Sequence, residues 1–208
     1  MYELIGARGS GSMIVELLLH LSGAPHSLTE MVPWEDGPHI AELKKLNPLG
    51  QVPVLRLPDG RLMTESGAIA LYLCERHPEL ASLVPAADAP ERADFLRWLF
   101  FFTGSIYPTF TVGDHPERWT EGPGAPEALK RSTDSYREML WRHVEASAGQ
   151  PFMLGGRMSL LDLYIAVMNP WRPRTAWFAA NCPRLSAIAA RVRADERLVP
   201  VFQRSEGH

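Results

Sequence analysis

Two serines stand in a glycine-rich loop, Gly6-Ala7-Arg8-Gly9-Ser10-Gly11-Ser12, directly before a strongly apolar stretch from Met13 to Leu21. The loop leads out of a strand-like run, Tyr2-Glu3-Leu4-Ile5, and into a helix that Gly23 ends. Backbone N–H groups at such a helix start lack intrahelical partners and can meet an anion. A second polar constellation runs from Asn47 to Ser66, NPLGQVPVLRLPDGRLMTES. Val52-Pro53-Val54-Leu55 is a short apolar run with a proline inside it, and proline cannot donate to a sheet ladder, so it belongs on an edge strand or at a strand's first residue. Pro58-Asp59-Gly60 carries turn chemistry, and Arg61-Leu62-Met63-Thr64 returns as the second strand of a hairpin. Glu65-Ser66 then opens a helical pattern in which Ile69, Tyr72 and Leu73 share a face, and both residue types suit a first helical turn. A proline at a strand's start, unpaired backbone groups beside it and a helix N-terminus together make a small polar pocket for a peptide-like ligand with a free carboxylate.

Other chemistries find no support. Gly6, Gly9 and Gly11 match neither the phosphate-binding loop, which needs a lysine after glycine, nor a dinucleotide fingerprint. No HExxH, paired-cysteine or clustered-histidine spacing is present, so no metal is expected. Cys74 and Cys182 fit neither a disulfide framework nor a CxxC site and read as small buried hydrophobes. The 208 residues are 46% hydrophobic and 22% charged with a net charge of -3, enough for a real core. That balance offers no electrostatic case for nucleic acid or an anionic membrane. The start of the chain lacks a basic segment followed by a long apolar one, and no apolar run suits a bilayer span, so the expected location is the cytoplasm.

The elements that must position these residues follow in order. Pro25 to Met31 reads as a second strand and Pro38 to Leu46 as a second helix. With the hairpin and the helix after it, the order βαβαββα suits one mixed, four-stranded sheet flanked by helices. The alanine- and proline-rich stretch 80–90 reads as a linker between a first domain, 1–79, and a second, 91–208. From Glu91 onward the signatures are helical. Arg92 to Ile106 carries Phe95, Trp98, Phe100, Phe101 and Phe102, a helix largely buried in a bundle. Asp114 to Pro126 reads as a loop, Ala128 to Ala146 as a helix, and Pro183 to Arg197 as a last helix with arginines toward its end. Ser159-Leu160-Leu161-Asp162 has the form of a capping box with aspartate at its third position, followed by the apolar helix of Tyr164, Ile165, Val167 and Met168.

The Asn47–Ser66 stretch resembles the glutathione-binding signature of the glutathione transferase family, in its cytosolic, bacterial-like form with a zeta- or nu-like serine loop. The resemblance covers nearly the whole chain, most specifically residues 47–66 and 152–165. It implies a thioredoxin-like N-terminal domain followed by an all-α C-terminal bundle that contains the S-x-x-D cap. It implies that Pro53 follows a cis bond, that Gln51, Val52 and Pro53 meet the cysteinyl part of glutathione, and that Glu65 and Ser66 receive its γ-glutamyl end. His39 stands where the family often places a basic residue for the glycyl carboxylate, with Lys44 and Lys45 competing. Ser159 and Asp162 read as folding determinants. A homodimer is implied, as is a pocket for a small hydrophobic electrophile between the two domains, lined by Trp98, Phe102, Tyr107 and Trp171.

Glutathione as substrate sets a definite task, because only its thiolate attacks electrophiles and a free thiol has a pKa of about 8.5. Lowering that value by two units requires ~2.7 kcal/mol of preferential stabilisation of the anion. A helix N-terminus supplies ~0.3–1 kcal/mol and a hydrogen bond to a charged group ~1.5–3 kcal/mol, so a hydroxyl and a first helical turn suffice together. Family members use a tyrosine, serine or cysteine near the end of the first strand. Here Tyr2 is too early and no cysteine is present, while the family's serine position falls on about Gly9. Ser10 is then the nearest hydroxyl and the favoured activator, with Ser12, otherwise the helix N-cap, as the alternative. Without a cysteine the loop favours thiolate addition over a mixed-disulfide mechanism. Glutathione-assisted isomerisation, peroxide reduction and a non-catalytic binding module are the competing readings.

Overall fold

The computed structural model describes residues 1–35 and 37–206. Asp36 of the expected 1–79 domain, and Gly207 and His208 of the expected 91–208 domain, lie outside the described residues. The chain divides into two compact units, Met1–Pro85 with the segment from Arg191 onward, and Ala86–Ala190.

In the first unit, β1 (Tyr2–Gly6), β2 (His26–Glu30), β3 (Val54–Arg56) and β4 (Leu62–Met63) form a four-stranded sheet in the order β2-β1-β3-β4. β1 runs parallel to β2 and antiparallel to β3, and β4 returns antiparallel on β3. The parallel pair requires a crossover, which α1 (Ser12–Ser22) supplies. Alternation along the strands divides the apolar side chains between two faces. Ile5 lies opposite Val54, and both pack with Leu43 of α2 (Pro38–Leu46), joined by Met31, Leu46 and Val52. Leu4 lies opposite Leu55 on the other face. There α1 packs against β1 and against α3 (Ser66–Arg76). α1 buries Met13, Ile14, Val15, Leu17, Leu18 and Leu19, far more than one stripe, so it is enclosed on most sides. A 3-10 turn, Pro78–Leu83, follows α3 and buries Leu80 and Leu83. The first residues of the expected 80–90 linker therefore pack with the first unit, and the division falls after Pro85.

The second unit is helical. α4 (Arg92–Phe101) passes through a π-helical turn, Phe102–Ile106, into α5 (Tyr107–Asp114). α6 (Ala125–Ser147), α7 (Leu160–Met168) and α8 (Thr175–Asn181) follow. Every residue of α7 is buried, which makes it the unit's central helix. Asp162 opens it: Oδ2 accepts from the Ser159 N–H (2.7 Å) and hydroxyl (2.8 Å), and Oδ1 accepts from the Met153 N–H (2.6 Å). α5 is held to α6 by Arg137, 1% exposed, which donates to the Thr109 hydroxyl and carbonyl and to Asp134. The expected last helix ends earlier than its sequence pattern implies, as α9 (Pro183–Arg193), because Asp195 turns the chain by accepting from the Arg197 N–H. A further helix, α10 (Val199–Glu206), belongs to the first unit rather than to the expected 91–208 domain, and packs on α1.

Candidate functional site

The sheet register brings the polar segments of the first unit to one end. Ile5 opposite Val54 sets the exit of β1 beside the entry of β3. Leu55 opposite Met63 carries the hairpin toward Pro53 on one strand and Glu65 on the other. Gly6 opposite Glu30 in the parallel pair delivers the end of β2 to the same place. The loop 7–11, the segment Gln51–Pro53 and the chain entering α3 thus leave the strands at the same end of the sheet.

In the loop before α1 the two serines have different work. Ser12 is buried and begins the helix, while Gly11 occupies the N-cap position and no side chain caps there, so Ser12 is not the expected N-cap. Its Oγ instead accepts from the Ala7 N–H (3.0 Å) and reaches the Ala7 carbonyl (3.0 Å). A Cβ on Gly6 would stand 2.6 Å from that Oγ, so only glycine lets the strand end approach the serine. Ser10 is half-buried; its hydroxyl donates to the Ala7 carbonyl (2.6 Å), accepts from the Ser12 N–H (3.2 Å) and lies 2.8 Å from Ser12 Oγ. Because both hydroxyls reach Ala7 O, Ser12 can keep that carbonyl satisfied when the Ser10 proton turns elsewhere. The buried Gly11 N–H has no partner among the described residues, a second donor that side-chain reasoning passes over.

Across the edge, the Val52–Pro53 peptide bond is cis and Pro53 is buried. The Val52 N–H and C=O make no hydrogen bond among the described residues, so they remain available to a peptide-like ligand. Asn47, a residue with no evident chemistry in the sequence, shapes this segment. Buried at 6% exposure, it donates from Nδ2 to the exposed Gln51's carbonyl (2.9 Å) and accepts from the Leu49 N–H (3.1 Å). Glu65 is exposed and held at φ 67°, a left-handed conformation that costs a non-glycine residue ~1–3 kcal/mol and clusters at functional sites. Its carboxylate makes no capping bond to the first turn of α3, which half-buried Ser66 begins. His39, half-buried, is 2.8 Å from the Val32 carbonyl through Nε2. Lys45 is paired with Glu42, and the Lys44 stem runs along Gly50, beside Gln51.

The four aromatic candidates all lie in the second unit. Trp98 and Phe102 are buried at 2% and 0% exposure, Trp98 against Phe101 and His143, Phe102 against Trp141 and Tyr164. Tyr107 and Trp171 are half-buried and meet edge to face at 5.6 Å. Burial pushes the Tyr107 hydroxyl well above its ordinary pKa, and this hydroxyl has no partner among the described residues. Tyr2 lies at the other end of β1, where its hydroxyl meets His77 Nε2 at 3.1 Å, away from the serine loop. The Cys74 and Cys182 thiols are both pushed up to about 12 by burial, so neither is a nucleophile. Among the described residues no group of three or more His, Cys, Asp or Glu is arranged to hold a metal ion, and no helix is long and apolar enough to cross a membrane.

The sheet with its crossover helices defines a thioredoxin-like unit, and the chain adds a helical unit to it. Residues 11–76 match the family model of the glutathione S-transferase N-terminal domain. Over 209 positions, 99% of each chain, the protein is 39% identical to the uncharacterized GST-like protein YncG of Escherichia coli strain K12. Its fold is similar to that of a glutathione transferase homologue from Sulfitobacter, solved with bound glutathione (TM-score 0.83, 20% identity, 98% of each chain). It is also similar to a glutathione transferase from Methylococcus capsulatus strain Bath (TM-score 0.75, 25% identity, 99% of this chain and 98% of the other). The chain belongs to the glutathione S-transferase family.

Proposed function

We propose that this protein is a glutathione transferase that binds glutathione at the polar sheet edge of its first unit and activates the thiol for attack on a small hydrophobic electrophile. The observation that carries the reading is the convergence of the serine loop, the unpaired Val52 backbone and the chain entering α3 at one end of the sheet. Gln51, Val52 and Pro53 take the cysteinyl part through backbone pairing, and Glu65 and Ser66 take the γ-glutamyl end at a helix N-terminus suited to its carboxylate. His39 takes the glycyl end. The Ser10 hydroxyl, with the Gly11 N–H and the first turn of α1, stabilises the thiolate, and Ser12 holds the loop. A charge-assisted bond from Ser10 at ~1.5–3 kcal/mol and the helix start at ~0.3–1 kcal/mol reach the ~2.7 kcal/mol that two pKa units require.

Tyr107 and Trp171 present the more accessible aromatic surface for the electrophile, with Trp98 and Phe102 packed among the helices as support. The active form is a homodimer, and two buried reduced thiols suit the cytoplasm. Retention on immobilised glutathione, followed by turnover of a model electrophile, tests the reading. Retention with turnover supports it; retention without turnover of electrophile or peroxide leaves a binding module; no retention by the folded protein refutes it. Sedimentation at micromolar concentration giving a single 23.2 kDa species would refute the dimer.

A further inference from the structure

The loop that carries Ser10 is held from a part of the chain far away in sequence. The Gly9 N–H donates to Ser205 Oγ at 3.0 Å. Gly9 has φ 69°, the left-handed region that favours glycine, and no atom lies within 4 Å of where its Cβ would stand. No neighbour wedges it on that side, so the hydrogen bond to α10 adds an outside restraint to a turn otherwise closed by the Ser10 N–H and hydroxyl on the Ala7 carbonyl. α10 is in turn fastened to α1. Arg204 directs Nε and Nη2 to Glu16 Oε1 at 3.1 and 2.8 Å, Val201 and Phe202 are buried, and the Arg193 guanidinium lies 4.5 Å from the Phe202 ring centroid. α10 therefore ties together the loop before α1 and the body of α1, whose relative geometry decides where the Ser10 hydroxyl and the Gly11 N–H point.

We infer that α10 is a strut for the thiol-activating loop and that Ser205 is a positioning residue, acting through Gly9 on Ser10. The inference rests on the proposed role of Ser10. With its N–H committed to Ser205, Gly9 is not among the donors offered to an anion, which leaves that work to Ser10 and Gly11.

The test compares the full-length protein with Ser205→Ala and Ser205→Thr. Two quantities are read: hydrogen exchange of the Gly9 amide, and the pH profile of glutathione turnover with a model electrophile. Ser205→Ala is expected to speed Gly9 exchange by roughly two- to tenfold, as loss of one hydrogen bond implies. It is also expected to move the midpoint of the pH profile upward with little change in melting temperature. Ser205→Thr, which keeps the hydroxyl, restores both. Unchanged Gly9 exchange in Ser205→Ala overturns the strut. Faster exchange with an unchanged pH profile overturns the positioning role. If the wild-type protein turns over no glutathione, the proposed function fails on its own account, and the Gly9 exchange rates still decide the strut.

Discussion

Removing the two loop hydroxyls singly and together has a consequence that follows from their shared acceptor. Ser12→Ala strips the Ala7 N–H of its partner in a buried loop, and an orphaned buried donor costs ~1–3 kcal/mol. The Ala7 carbonyl does not lose everything, because the Ser10 hydroxyl still reaches it. In Ser10→Ala the roles reverse: Ser12 still serves the carbonyl, and the loss is the bond from the Ser12 N–H, ~0.5–2 kcal/mol by comparison with helix-cap substitutions. Only the double variant leaves the carbonyl without either hydroxyl. It should therefore cost more than the sum of the single changes, by about 0.5–1.5 kcal/mol for the hydroxyl bond that neither single variant loses, the Ser10 N–H (3.2 Å) being the partner the carbonyl keeps. Equilibrium urea unfolding of the four proteins, with slopes checked for equality, closes the cycle. Additivity within ~0.5 kcal/mol, or Ser12→Ala no less stable than wild type, refutes the hydrogen-bond scheme.

Two further outcomes follow from buried or strained groups. Asp162→Ala leaves three buried donors unpaired and is expected to cost several kcal/mol, on the order of 3 or more. Burial raises the Asp162 carboxyl above its ordinary range despite its hydrogen bonds, so the native state keeps that proton to higher pH than the unfolded chain does. The stability gap between wild type and Asp162→Ala is thus expected to be widest below about pH 4 and to narrow as pH rises through the folded value; a gap that widens with pH over that window contradicts the assignment. Glu65→Gly relieves a left-handed non-glycine residue, and that relief is offset by ~0.5–1 kcal/mol of added unfolded-state entropy. Its unfolding free energy is therefore expected to stay near the wild-type value while glutathione affinity, read by titration calorimetry, falls; unchanged affinity removes Glu65 from the site.

The elements with local chemical punctuation are the ones legible in the sequence. Pro58-Asp59-Gly60 marks the hairpin turn, Pro38 starts α2, Gly23 ends α1, and Ser159 with Asp162 opens α7. Features set by distant packing are not. Ser12 looks like a cap because hydroxyls favour that place, yet its partner is the Ala7 backbone across the loop. α5 and α8 are short and weakly periodic, and the π turn at Phe102–Ile106 continues an aromatic run without any break in pattern. α10 attaches to α1 through Arg204 and Glu16, a pairing that no window of sequence contains. In the sequence Asn47 is only the start of a motif, since its work, holding the Gln51 carbonyl, is done by side chain to backbone. Arg137 sits in a helix of mixed polar and apolar residues, and it is buried because α5 presents Thr109 and the Phe110 ring to it.

On the proposed function, the Ser10 loop stabilises a glutathione thiolate at this end of the sheet. Its most direct test is the ultraviolet thiolate absorbance of bound glutathione, titrated against pH in wild type, Ser10→Ala and Ser12→Ala. The wild-type midpoint is expected about two units below the free thiol's value of about 8.5. In Ser10→Ala the midpoint is expected to move back toward that value at nearly unchanged affinity, because the bond to Ser10 strengthens when the sulfur is anionic; these two outcomes together are what the loop's role requires. A wild-type midpoint equal to that of free glutathione, or one that shifts in Ser12→Ala and not in Ser10→Ala, contradicts it.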